Sequence, residues 1–238
     1  MNKKISVRVL AEIAIFAALG FALDALEGGI FKGVFVNGGG IGFAMVPVFI
    51  IAYRRGLIPG IVCGLILSVI QMLGGVYVIS SASYTGAMKF FAPFFQIALD
   101  YVLGYTVVGF AGAFASKYRN STEMSRKLLW IVIGTVIGGL AKFTCHVLSG
   151  GFFWLDPSIE FMGVNGGSWI YTFVYNGAYC IPNILICTAI MVLIARFYPI
   201  FLNPEEKEVA KEEDIDKDTL LVAKAETTEN NKSHEEVK

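Results

Sequence analysis

Followed for hydropathy alone, the chain is a succession of long apolar runs cut by short polar loops and closed by a polar tail. A helix needs about 20 apolar residues to cross a bilayer. Six segments meet or approach that length, over residues 8–27, 40–53, 57–79, 90–115, 128–151 and 168–198. The second is short, and two are interrupted by Gly or Pro. The pattern predicts an all-α membrane protein with six transmembrane helices, so residues 1–202 form a membrane domain. Residues 203–238 lack aromatic side chains and large apolar runs, and they are expected to be a charged, disordered extension.

Polar positions inside the apolar runs are few and therefore informative. Gln96 and Asp100 stand at i and i+4 in the fourth segment, and Lys142 and His146 at i and i+4 in the fifth. That spacing puts each pair on one helix face. Gly150 and Gly151 follow, expected to loosen the helix end, and then the aromatic triplet Phe152, Phe153 and Trp154. The sixth segment opens with Tyr171, Tyr175 and Tyr179 on one face and Asn176 beside them. An ionisable group within hydrocarbon marks a ligand or ion path, or a structural pair. Asp100 with Lys142 is such a pair, and interfacial anchoring explains part of the tyrosine face. Both readings stand at this point.

Composition agrees with the membrane assignment. Of 238 residues 55% are hydrophobic and only 16% charged, and the mean hydropathy is +0.65. The net charge of zero conceals a division, because residues 203–238 hold twelve acids and six lysines. Charge also orients the bundle. Lys3, Lys4, Arg8, Arg54, Arg55, Lys117, Arg119, Arg126, Lys127 and Arg196 fall on one side, and Lys32 and Lys89 on the other. The positive-inside rule then puts both termini in the cytoplasm.

Other features narrow the chemistry. Cys63, Cys145, Cys180 and Cys187 lie in apolar segments without a C-x-x-C pair, so neither disulfide nor zinc is expected. The phosphate-binding loop of ATPases and the common hydrolase motifs are missing, which argues against an enzyme. No cofactor, catalytic residue or metal site is expected, and no nucleic-acid partner. Two stripes of small residues could let helices approach closely: Ala14, Ala18 and Ala22 in the first segment, and Gly56, Gly60 and Gly64 at the third. Internal packing accounts for either. The glycine-rich stretch EGGIFKGVFVNGGGIG, residues 27–42, is a lid or a plain connector.

Together these segments resemble the thiamine-specific substrate-binding (S) components of bacterial energy-coupling factor (ECF) transporters. The resemblance rests on LAEIAIFAALGFAL, MVPVFIIAYRRG, GLIPGIVCGLI, LDY, KFTCHVLSGGFFW and WIYTFVYNGAY, in order over most of residues 9–198. It implies a six-helix bundle in the cytoplasmic membrane that captures the vitamin near its outer face, beneath the first loop. The implied substrate-binding residues are Tyr77, Asp100, Tyr101, Lys142, His146, Trp154, Tyr171 and Asn176. Ala14, Ala18 and Ala22 would face a transmembrane coupling subunit, which acts with two ATPase subunits; the other partners are thiamine or a related vitamin and membrane lipid.

The chemistry fits a cationic heteroaromatic ligand. Asp100 would supply the counter-charge, aromatic walls a cation–π surface, and Asn176 a donor and an acceptor. Lys142 would neutralise or orient Asp100. Two features differ from some members: residues 36–45 read VNGGGIGFAM, without the tryptophan and glutamate found there in those members, and the Tyr77–Asp100 interval is longer. The alternatives are an S component for a thiamine precursor or another water-soluble vitamin, and a membrane scaffold or channel.

Overall fold

The computed structural model describes residues 6–30, 35 and 38–203. The expected charged tail lies outside the described residues except for Asn203, as do residues 31–34, 36 and 37 of the glycine-rich stretch. Six main helices follow in chain order. They are α1 (Val7–Ile30), α2 (Val46–Arg55), α3 (Leu57–Leu73), α4 (Met88–Asn120), α5 (Met124–Phe153) and α6 (Trp169–Phe197). A two-residue hairpin, β1 (Glu160–Phe161) with β2 (Val164–Asn165), joins α5 to α6.

Among the described residues, four helices are long and apolar enough to cross a membrane: α1 over Val7–Gly28, α4, α5 and α6. The second and third predicted spans are shorter than the hydropathy suggests. α2 has 10 residues and α3 has 17, so at 1.5 Å per residue α2 alone covers about half of a hydrocarbon core. The reason is visible in α2's surroundings. Val46 to Tyr53 are all buried, and a helix apolar on every side is stable only when neighbours wrap it. α1, α3, α4 and α6 provide that wrapping.

Small residues set how closely the helices approach. A Cβ at Gly64 would collide with the Tyr105 carbonyl, and one at Gly109 would collide with the backbone at Gly60. The glycine stripe of α3 is therefore internal packing against α4. The alanine stripe of α1 is the opposite case. Ala14, Ala18 and Ala22 are exposed, whereas Ile13, Ala17 and Gly20 on the other face are buried.

One end of the bundle gathers cationic side chains around a carboxylate. Glu12 on α1 receives Arg54 Nε at 3.0 Å and Arg55 Nε at 2.6 Å. Arg54 also donates to the Phe201 carbonyl just beyond α6, at 2.9 Å, and Arg119 at the end of α4 donates to the Tyr53 carbonyl at 2.8 Å. The first residues of α1, the α2–α3 junction and the chain beyond α6 thus meet at one end. The polar residues inside α4, α5 and α6 stand towards the other.

α4 is irregular where it matters. Pro93 removes one backbone donor, and Ala98–Val102, which carries Asp100 and Tyr101, is a π-helical turn. Such turns widen a helix locally and re-aim its side chains. A 3₁₀ stretch, Val107–Phe114, then tightens it again.

Candidate binding site

Asp100 is the centre of the site. Its Oδ2 accepts the Gln96 side-chain N–H at 2.8 Å and the Trp154 indole N–H at 2.9 Å. His146 Nδ1 stands 3.8 Å from Oδ1, within ionic reach but beyond hydrogen-bond length. The buried Ser149 hydroxyl, one turn along α5 from His146, is also close to Asp100 and makes no hydrogen bond of ordinary geometry among the described residues. The carboxylate thus has two oriented donors and two further polar groups at its edge, which keeps an anion tolerable in a partly buried position.

The fifth helix delivers these groups because it does not end where its glycines suggest. α5 continues helically through Gly150 and Gly151 to Phe153, correcting the expectation of a loosened end. Gly151 is required for a different reason: a Cβ there would collide with the Trp169 ring. With the helix intact, Trp154 caps it with its indole turned to Asp100.

Lys142 does not pair with Asp100. Its Nζ stands 3.3 Å from the centroid of the Tyr105 ring, and no carboxylate among the described residues is within salt-bridge reach. The nearby negative charges are Asp24 and Glu27 on α1, and Asp24 accepts the Tyr105 hydroxyl at 2.9 Å. The i, i+4 spacing with His146 correctly put both on one face of α5. One turn separates them along α4, however, so His146 meets Asp100 and Lys142 meets Tyr105.

The sixth helix contributes an aromatic wall. Tyr171, Tyr175 and Tyr179 are all buried; Tyr171 stacks on Tyr175 at 5.5 Å between centroids, and Tyr179 presents an edge contact to His146 at 6.3 Å. Asn176 is engaged within this wall. It donates to the Thr172 carbonyl at 2.8 Å and accepts the Tyr179 hydroxyl, so its carboxamide is held in one orientation. Phe35 covers the wall with edge contacts to Tyr175 and Tyr179.

Tyr101 and Tyr77 occupy the rim. The Tyr101 hydroxyl accepts the Tyr77 backbone N–H at 2.7 Å, and Gln96 donates to the Tyr77 carbonyl at 3.1 Å. The Tyr77 ring itself is 77% exposed and lies 6.0 Å from the Trp154 ring. Beyond Trp154 a cavity of about 400 Å³ opens between Ile79–Tyr84 and the end of α5. The segment between Tyr77 and Asp100 thus builds one wall of a vestibule next to the site.

The structure therefore brings Asp100, Tyr101, His146 and Trp154 together, with Tyr77 at their edge. Tyr171 and Asn176 join through Tyr175 and Tyr179, and Lys142 lies one turn deeper. Sequence reasoning missed Asp24, Glu27, Tyr105 and Asn183. The two acids Asp24 and Glu27, which follow the unbroken apolar stretch Ile13–Leu23 of α1, were a usable signal. Tyr105 and Asn183 carried none, because a single neutral polar group in a membrane helix is common.

Comparison with known proteins gives consistent results. Residues 10–203 match the family described as thiamine transporter protein. Thiamine transporter ThiT of Bacillus subtilis strain 168 is 30% identical over 213 residues, 87% of this chain and 100% of that protein. Thiamine transporter ThiT of Lacticaseibacillus paracasei is 25% identical over 207 residues, 84% of this chain and 92% of the other. Among solved structures, ThiT from Listeria monocytogenes superposes with a TM-score of 0.62 at 24% identity, covering 83% of this chain and 98% of that one. That last likeness concerns the fold.

Proposed function

From the premise that this chain belongs to the thiamine transporter protein family, we infer that the cluster around Asp100 is a vitamin-capture site. The protein is a multi-pass bacterial membrane protein of a transporter family, not an enzyme. It binds thiamine as the substrate-binding component of an importer. The observation that carries the assignment is the Asp100 carboxylate, fixed by the Trp154 indole N–H at 2.9 Å and the Gln96 amide at 2.8 Å. An oriented anion beside an aromatic plane is complementary to a permanently charged thiazolium. The charge is met by Asp100 and the ring face by Trp154.

The remaining roles follow from position. His146 sits opposite Asp100 on α5 and can hydrogen-bond the aminopyrimidine through its second nitrogen. Tyr171 supplies a further stacking surface and Tyr101 a hydroxyl at the rim, with Tyr77 flanking Trp154. Asn176 exchanges its Tyr179 contact for the pyrimidine edge, having both donor and acceptor. Lys142, on the Tyr105 ring, balances Asp24 and Glu27 beneath the site and does not touch the cation. A few placed polar groups in an aromatic pocket are the usual anatomy of a small-molecule site.

In this reading the chain crosses the membrane six times with both termini in the cytoplasm. Support comes from the clustering of Arg54, Arg55, Arg119 and the chain beyond α6 at one end, which is the end expected to face the cytoplasm. The short α2 crosses together with the backbone that leads into it. The exposed Ala14, Ala18 and Ala22 face a transmembrane coupling subunit, which with two ATPases drives uptake.

Titration of detergent-purified protein with thiamine, followed by tryptophan emission, tests the assignment. Saturable quenching at sub-micromolar vitamin and a raised melting temperature are expected, since a ligand selective for the native state stabilises it. No saturable response and no thermal shift would refute it.

A further inference from the structure

The turn Gly38–Ala44 crosses the aromatic wall of α6 and is fastened by side chains that do not belong to the ligand set. Asn183 bridges it at two points. Its Oδ1 accepts the Gly42 N–H at 2.6 Å and its Nδ2 donates to the Gly40 carbonyl at 2.8 Å. One residue on, Glu27 of α1 accepts the Phe43 N–H at 2.5 Å. The Gly42 backbone lies so near that carboxylate that a Cβ at this position would collide with it. Tyr175 adds a hydrogen bond from its hydroxyl to the Gly38 carbonyl at 3.0 Å. Asn183 and Glu27 are each only 9% exposed.

The fastening bears directly on the site through Tyr179. Gly39, at φ +101°, rests on the Tyr179 ring so closely that a Cβ would come within 2.5 Å of it. The same tyrosine donates its hydroxyl to Asn176 and packs edge-on against His146. Tyr175, Tyr179 and Asn183 follow one another at i, i+4 and i+8, so one stripe of α6 carries both the aromatic wall and the clamp. The packing of α1 and α6 into the core rests on other residues, among them Ile13, Ala17, Cys187, Met191 and Ala195.

We propose that Asn183 and Glu27 are positioning residues that clamp Gly38–Ala44 onto Tyr179 and thereby set how long the ligand is retained. The proposal rests on the vitamin-site reading above. Lifting the turn breaks three backbone hydrogen bonds to these two side chains and frees the Tyr179 ring. The Gly42 and Phe43 amides find no replacement partner while the turn is down, but water satisfies them once it lifts. Removing the Asn183 carboxamide therefore shifts the balance towards the lifted state.

The test is stopped-flow tryptophan fluorescence on the full-length protein in detergent with thiamine as the probe, paired with amide hydrogen exchange in the absence of ligand. Asn183→Ala is expected to raise the dissociation rate by about tenfold or more while the association rate stays within about threefold, as is usual when contacts of the closed complex are lost. Exchange at Gly42 and Phe43 should accelerate selectively. Asn183→Asp keeps the acceptor for Gly42 and loses the donor to Gly40, so an intermediate dissociation rate is expected; it also decides the matter if Asn183→Ala does not fold. Unchanged dissociation in folded Asn183 variants of a protein that binds thiamine would overturn the clamp alone. A wild-type protein that gives no thiamine signal would instead overturn the vitamin-site reading, while amide exchange still reports whether Asn183 holds the turn.

Discussion

Replacing Asp100 by Asn separates charge from shape at the centre of the site. The substitution is nearly isosteric but has two consequences that the geometry makes calculable. It removes the counter-charge: for unit charges about 4 Å apart at an effective dielectric constant near 20, the lost attraction is about 4 kcal/mol. It also replaces one acceptor by a donor: the amide oxygen takes the place of Oδ2 and still accepts from Gln96 and Trp154, which puts the NH2 where Oδ1 faces His146. The two hydrogen bonds lose their charge assistance, at a cost of about 1 kcal/mol that the free protein shares. Thiamine binding should therefore weaken by roughly 100- to 1,000-fold, at ~1.4 kcal/mol per decade. An uncharged aminopyrimidine of similar outline should lose only about tenfold or less, the part due to hydrogen-bond geometry. Isothermal titration with both ligands, on wild type and variant, measures the difference directly. Equal losses for the two ligands would refute the counter-charge role and leave Asp100 as a structural acceptor for Trp154.

Other consequences are open to measurement. Ala14→Leu or Ala18→Leu adds bulk to an exposed face of α1, so vitamin binding should be preserved while uptake by cells carrying the ATPase module falls to background. Loss of binding in either variant would contradict that division. Trp154→Phe keeps a ring but deletes the donor to Asp100; binding should weaken about tenfold and much of the emission change should vanish, whereas an unaltered signal would place the reporter elsewhere. Glu12→Gln takes the counter-charge from the part-buried Arg54 and Arg55 guanidinium groups while keeping one acceptor oxygen; a loss of about 1–3 kcal/mol should appear as a drop in melting temperature. Gly64→Ala forces α3 away from the Tyr105 carbonyl and should cost about 1–3 kcal/mol in the same assay, and a neutral result would mean that the α3–α4 contact is compliant.

The division between sequence and structure follows physical lines. Hydropathy determines which segments are helical and apolar, because every backbone polar group within a bilayer must be satisfied inside its own segment. The long runs in α1, α4, α5 and α6 were legible for that reason, and so was the oddity of Asp100, Lys142 and His146 among apolar neighbours. Helical periodicity further determines that Lys142 and His146 share a face. It cannot say which groups stand opposite, since that depends on how α4 and α5 pass each other and on the π turn at Ala98–Val102. Only the packed bundle decided that Asp100 goes to Trp154 and His146 while Lys142 goes to Tyr105. The length of α2 was misjudged for a related reason, because hydropathy registers burial in protein and burial in lipid alike. The same ambiguity surrounds the small-residue stripes, which look alike in sequence. Packing buries Gly60 and Gly64 and leaves Ala14, Ala18 and Ala22 exposed, because close approach needs a partner surface and only the three-dimensional arrangement says where one is already present.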